Sequence, residues 1–389
     1  MTARLKRLAR DTAIVIAVSL GLLVGMELLV RLFAPQTLEG TSVRGAHFSA
    51  PDSILGYRYL PEAVWRFRHP EYQVEYAINA DGFRDTSSHP VPKPPGARRL
   101  LLLGDSFTFG QGVTYDETWT VRAEHELARR GETVDLVKAG VQGMDTRTEL
   151  VLLRRLGRRL APDLVVVGWL VNDLYTNIPW EERPDTELPD STGRWADVRS
   201  RVFVKDGARF SSHLLVLARR LVTSNDAAYL NLYLAAPDRG GFLRVPLGEA
   251  AERQLHITEG LLRHMAAYSD SIGARLVVLS IPQQFQVLYR RSGRRDSAVD
   301  VEFYDRHFSE YAARHGFTWV PTLDAFAGAD TGSVDLFYRL DGHLTPAGNA
   351  VLAREFLDRV VPLLAEPHPA AAGGGVPSPE PARGTSSAP

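Results

Sequence analysis

Apolar positions along this chain follow three patterns, and each predicts a different kind of element. The first pattern is a long run. Residues 13–26 are almost wholly apolar, and the run continues to Phe33 with only Glu27 and Arg31 interrupting. About twenty apolar residues are needed to span a bilayer, and this run reaches that length. The second pattern alternates with period two. Leu55-Gly56-Tyr57 and Val74-Glu75-Tyr76-Ala77-Ile78 read as short strands, and residues 79–85 follow as a turn. The third pattern sets short apolar runs between segments with apolar residues every third or fourth position. Residues 99–103, 134–137, 163–167, 275–281 and 317–320 read as strands. Residues 117–130, 145–160, 303–315 and 346–364 read as helices. Leu152, Leu156 and Leu160 place one apolar stripe on a helix face, and Leu352, Phe356 and Val360 place another.

Strands that are apolar throughout are buried on both faces, and alternation with helices implies right-handed crossovers. The expected fold is therefore α/β, with helices on both sides of a parallel sheet of about five strands. About a hundred residues separate the third and fourth strands, far more than one crossover needs. Residues 212–221 and 249–269 of that insertion read as amphipathic helices, and residues 179–194 and 238–246 as loops. Emerging from a strand's carboxyl end, the insertion (residues 178–270) is expected to cap the sheet edge.

Composition adds boundaries. Arg4, Lys6, Arg7 and Arg10 precede the long apolar run. That basic flank predicts a cytoplasmic N-terminus and an external remainder, with residues 1–35 as an uncleaved signal anchor. A cleaved secretory signal is the alternative. Residues 36–97 read as an irregular lead-in, with four prolines between positions 90 and 95 forming a stiff linker. Residues 98–365 would form the main domain. The tail, residues 366–389, is rich in Pro, Ala, Gly and Ser and is expected to be disordered. The formal net charge is −1, so no basic footprint points to nucleic acid. With no cysteine, disulfides and thiolate chemistry are excluded. No metal-ligand spacing is present, and no metal or cofactor is expected.

The chemistry concentrates in two places. Leu101-Leu102-Leu103-Gly104-Asp105-Ser106 ends an apolar strand in a serine at a helix start. That position offers a hydroxyl, free backbone N–H groups and a helix N-terminus. Much later, Asp341-Gly342-His343 supplies a base and an orienting acid, with Thr345 and Pro346 opening the next helix. Such a set is recognised by roles rather than chain order. Asp105 is expected to brace the loop, Asp173 to bond neighbouring backbone, and Arg84 to serve an ion pair or reach the site mouth.

Four segments together resemble the SGNH/GDSL hydrolase superfamily. They are Gly104-Asp105-Ser106-Phe107, then Ala139-Gly140-Val141-Gln142-Gly143, then Gly168-Trp169-Leu170-Val171-Asn172-Asp173, and Asp341-Gly342-His343. Two positions depart from the common pattern. Leu170 stands where the family has glycine, and Asp341 and His343 are two apart rather than three. The shorter spacing is similar to a membrane-anchored bacterial branch related to polysaccharide O-acetylation proteins. The resemblance implies a three-layer α/β/α fold with a flavodoxin-like sheet. It implies a catalytic Ser106, His343 and Asp341, and an oxyanion hole of the Ser106 N–H, the Gly143 N–H and the Asn172 side chain. It also implies an esterase acting on an acyl group, with O-acetyl on an envelope or exported polysaccharide as the expected substrate. An O-acyltransferase using the same acyl-enzyme is one alternative, and a silent carbohydrate-binding or assembly protein is another. Expected partners are the membrane, through residues 1–35, and components of the envelope or of polysaccharide export. A neutral imidazole base predicts activity rising through about pH 6 to 7.

Overall fold

The long apolar run forms helix α1, Ala3–Phe33, in the computed structural model of the protein. The structure describes residues 3–44, 47–52, 55–86, 89–177 and 212–366. The loop expected at residues 179–194, and the tail beyond Glu366, lie outside the described residues. By length and composition, α1 is able to cross a membrane. Its side chains are exposed from Arg4 to Val24, and partial burial begins at Gly25.

The lead-in is more regular than its pattern implied. Strands β1 (Gly40–Arg44), β4 (Val64–Arg68) and β5 (Gln73–Ala77) form an antiparallel sheet with β4 in the middle. Strands β2 (Ser49–Asp52) and β3 (Gly56–Tyr59) form a separate antiparallel pair. Sheets this small need a partner to stand. Tyr57, Tyr59, Trp65, Val74 and Tyr76 accordingly bury one face against Phe109 and Met144 of the main domain. The proline-rich stretch is docked as well. Arg99 donates to the Pro90 carbonyl at 2.9 Å, and Lys93 pairs with Asp163 at 2.8 Å.

Strands β6 (Arg98–Gly104), β7 (Val134–Lys138), β8 (Leu164–Trp169), β9 (Arg275–Ser280) and β10 (Thr318–Pro321) form one parallel sheet. Its order is β10-β9-β8-β6-β7, the flavodoxin-like arrangement. Alternate residues of each strand feed two cores. Leu101, Leu103, Val165, Val167, Leu276 and Val278 face one layer, and Leu100, Leu102, Leu164, Val166, Val277 and Leu279 face the other. Leu170, the departure from the glycine pattern, is fully buried in the second layer. The winding direction reverses at β6, which lies between β7 and β8. The crevice at the carboxyl end of β6 is where such sheets place ligands.

Helices α2 (Ser106–Phe109), α3 (Trp119–Arg129), α4 (Thr146–Leu160) and α5 (Asp173–Thr176) follow these strands. In the insertion, α6 (His213–Thr223), α7 (Asp226–Ala235) and α8 (Glu249–Ser271) are helical, and the expected loop 238–246 opens with two short turns, Pro237–Gly240 and the 3-10 turn Gly241–Leu243. Helix α7 touches the segments after β8 and β9. Tyr233 packs on Phe285 at 4.4 Å, and its hydroxyl lies 3.4 Å from that of Tyr175. Helix α7 thus reaches the carboxyl edge, whereas α8 packs against α4 and β9 on one face of the sheet and α6 packs against α1. The remaining helices are α9 (Gln284–Arg291), α10 (Phe303–His315), α11 (Leu323–Ala329) and α12 (Pro346–Arg359). The closing helix is shorter than its periodicity predicts. Pro362 cannot donate into a continuing helix, so the chain passes into a 3-10 turn, Val361–Ala365.

Candidate active site

Strand β6 delivers Ser106 to the switch point through a glycine-dependent approach. Gly104, Gly140 and Gly168 end three neighbouring strands or their loops and surround Thr108. A Cβ on Gly104 or Gly168 would lie 2.1 or 2.3 Å from the Thr108 hydroxyl, and one on Gly140 would lie 2.6 Å from the Phe109 nitrogen. Only bare backbone admits α2 this close to the sheet, and Gly104 also takes a φ of 149°. Asp105 caps α2 by accepting the Phe107 N–H at 2.9 Å.

The Ser106 hydroxyl lies 2.7 Å from His343 Nε2, and His343 Nδ1 lies 2.7 Å from Asp341 Oδ2. The structure therefore brings all three sequence-predicted residues into one hydrogen-bonded line. A tight turn makes the short spacing workable. Gly342 adopts φ 84°, its N–H donates to the Tyr338 carbonyl, and the Tyr338 N–H donates to the His343 carbonyl. The imidazole leans on Phe107 at 4.9 Å between ring centres. Burial alone would raise the Asp341 carboxyl. The neighbouring His343 charge and hydrogen bond outweigh it, with help from His69 and Tyr72, and bring it down to about 2.

Three groups were expected from the sequence as oxyanion donors: the Ser106 N–H, the Gly143 N–H and the Asn172 side chain. The Ser106 and Gly143 N–H groups have no hydrogen-bond partner among the described residues. Gly143 sits at φ 69° in the loop that Val141 ties to the end of β6 through the Gly104 carbonyl. The third, the Asn172 side chain, donates from Nδ2 to Asp105 Oδ2 at 3.2 Å, which fixes its amide plane. Burial raises the Asp105 carboxyl above its ordinary value, partly offset by the Phe107 N–H. Beneath it, burial pushes Glu149 and Asp173 well up, and each carboxylate discourages ionisation of its neighbours. Asp173 accepts from the Thr146 hydroxyl at 3.0 Å, rather than from nearby backbone as expected.

The lead-in contributes residues that sequence reasoning missed. Tyr72 donates its hydroxyl to Asp341 Oδ2 at 2.8 Å, the same oxygen that holds His343. Burial first, and the Asp341 charge second, push the Tyr72 hydroxyl up, so it remains a donor. Glu71 accepts the Leu340 and Asp341 N–H groups at 2.9 and 3.1 Å. Gln142 links the glycine loop to Gln111 at 2.7 Å and to the Tyr59 hydroxyl at 2.8 Å. Arg84 neither forms the expected ion pair nor reaches the site mouth. It is buried and donates to the carbonyls of Phe109, Gly110 and Val113. Only Gln142, inside the glycine block, carried a local signal.

Together the half-buried Ser106–His343–Asp341 line and the switch-point crevice define a serine hydrolase of the α/β/α class. A model of the GDSL-like Lipase/Acylhydrolase family matches residues 102–351, and the chain belongs to that family, a carboxylic ester hydrolase. No curated protein matches the chain. Among solved structures it is similar to a crystal structure of TesA, at 17% identity and TM-score 0.38, covering 68% of this chain and 99% of that one. It is also similar to the psychrotrophic esterase EstA from Pseudoalteromonas sp., at 12% identity and TM-score 0.37, covering 69% and 100%. A third similar structure is a catalytic mutant of Axe2, an acetylxylan esterase from Geobacillus stearothermophilus. It is 15% identical with TM-score 0.37, and the match covers 67% and 93%.

Proposed function

We propose that this chain is a membrane-anchored serine esterase whose catalytic domain lies outside the cytoplasm and removes acyl groups, O-acetyl in particular, from an exported or envelope polysaccharide. The observation that carries the serine mechanism is the line Ser106–His343–Asp341 at 2.7 Å per step. Ser106 attacks the ester carbonyl while His343 takes its proton. The oxyanion then meets the N–H groups of Ser106 and Gly143 and the Asn172 amide, and each such donor is worth about 3 kcal/mol in the transition state. His343 returns the proton to the leaving alcohol, and water releases the acyl group by the same steps in reverse order. Asp341 holds the imidazole tautomer throughout. The length and basic flank of α1 support the anchor, and the polysaccharide substrate rests on the resemblance to O-acetylation proteins.

The test uses the full chain in detergent, a fluorophosphonate probe and p-nitrophenyl acetate. Labelling and turnover are expected in the wild type and absent in Ser106→Ala. An unlabelled, folded wild type overturns the reading and leaves a silent binding protein. Incubation with an acetylated oligosaccharide and an unacetylated acceptor separates release of acetate from transfer. For topology, the cysteine-free sequence allows Val334→Cys, at an exposed position, to be probed in intact cells with an impermeant maleimide. Labelling is expected; protection until lysis would place the domain inside.

A further inference from the structure

We infer that α6 is a second membrane contact, its exposed apolar stripe lying in the headgroup region of the outer phospholipid leaflet beside the end of α1. The inference rests on reading α1 as a membrane span. The charge-free stretch of α1 runs from Thr12 to Met26, fifteen residues. At 1.5 Å per residue it covers about 22 Å, less than the roughly 30 Å of a hydrocarbon core. Filling that core immerses α1 to about Arg31, which leaves Glu27 about one helical turn inside the outer boundary.

A carboxylate at that depth is costly unless its oxygens are satisfied. Here α6 satisfies them. Glu27 Oε2 accepts the Ser212 hydroxyl at 2.7 Å and the Leu214 N–H at 2.8 Å, and Oε1 accepts the His213 N–H at 3.0 Å. The acid sits at the N-terminus of α6, where the free N–H groups and the helix dipole favour it. A second latch joins the Gln36 N–H to His213 Nδ1 at 2.8 Å. Wherever Glu27 goes, the start of α6 goes too.

The face of α6 turned away from the protein is apolar. His213 and Val216 are buried, whereas Leu215, Leu221 and Val222 are 40%, 66% and 37% exposed. With Ala218 these positions recur at helical spacing and form one stripe. Leu232 of the adjacent α7 is 61% exposed as well. An apolar stripe latched by hydrogen bonds to a span fits the pattern of an interfacial helix.

The contact lies close to the chemistry. Arg220 of α6 donates to the Pro70 carbonyl at 2.8 Å. The next two residues, Glu71 and Tyr72, hold Asp341 and its loop. The leaflet therefore holds the catalytic acid at a fixed height.

The test takes the full chain, with spin labels on single cysteines at positions 18, 215, 221 and 358, in nanodiscs of phosphatidylethanolamine and phosphatidylglycerol. Collision with oxygen is compared with collision with a water-soluble nickel chelate, and p-nitrophenyl acetate turnover checks that each labelled chain is folded. The oxygen-to-nickel ratio at 215 and 221 is expected to exceed that at 358 several-fold, with 18 highest. If 215 and 221 match 358 while 18 stays in lipid, the span stands and α6 is in water, and the inference fails. If 18 is itself wet, the span reading fails first. Shielding of 215 and 221 from both reagents assigns the stripe to a protein partner and also overturns the inference.

Discussion

At the scale of residues, the least expected partner in the site is Tyr72. Its hydroxyl and His343 share one oxygen of Asp341, so the acid is aimed from two sides. Hydrogen bonds to a charged group are worth about 1.5–3 kcal/mol. Tyr72→Phe is therefore expected to lower kcat/KM on p-nitrophenyl acetate roughly tenfold to a hundredfold with little change in Tm. An unchanged kcat/KM would show that the His343 bond alone orients Asp341. The residue types the chemistry demands were readable from the chain. A serine at a strand end and a histidine two residues from an aspartate have few other reasons to occur together with a glycine block. Glu71 and Tyr72 were not readable, because their partner lies about 270 positions away and no local periodicity encodes it.

At the scale of elements, the site depends on how closely α2 approaches the sheet. A methyl group on Gly140 would strike the Phe109 nitrogen at 2.6 Å and the Thr108 carbonyl carbon at 2.7 Å. Backbone cannot rotate aside, so Gly140→Ala is expected to cost about 1–3 kcal/mol in thermal unfolding and to displace Ser106, with loss of turnover. Gly260 in α8 makes the contrast, since a Cβ there meets nothing within 4 Å. Gly260→Ala should stabilise the protein by roughly 0.5–1 kcal/mol and leave activity intact. Equal effects of the two variants would remove close approach as the reason for Gly140. The core strands were legible from their apolar runs, because burial on both faces leaves no room for polar residues. The order of those strands was not legible from periodicity and entered through the family resemblance.

At the scale of the whole molecule, the lead-in and the catalytic domain are stapled by His89. Its Nδ1 lies 2.5 Å from Asp135 of β7, and its Nε2 lies 3.2 Å from Asp85. Burial would lower this imidazole, but the hydrogen bonds to Asp135 and Asp85 outweigh it and carry it from 6.5 up to about 9. A group raised on folding gives its full stability below 6.5 and loses it as pH rises through 9. The staple is worth up to about 3 kcal/mol. Wild-type Tm should fall between about pH 6.5 and pH 9.5, and His89→Gln should be less stable at the lower pH and flatten that slope. A slope that persists in the variant would assign it to other groups. This docking was invisible in the sequence, where His89 precedes a proline-rich stretch that reads as a stiff linker. The aromatic side chains that bury the lead-in against Phe109 likewise look like ordinary strand residues until the partner surface is present. Distance along the chain also sets a schedule. Ser106 and His343 are 237 positions apart. At about 5–20 residues per second, synthesis needs roughly 10–50 s to proceed from one to the other. Throughout that interval the growing polypeptide carries a serine with no base beside it, and its N-terminal helix has long since emerged. If that helix commits the chain to a membrane early, the nucleophile is first switched on after the decision about destination has been made.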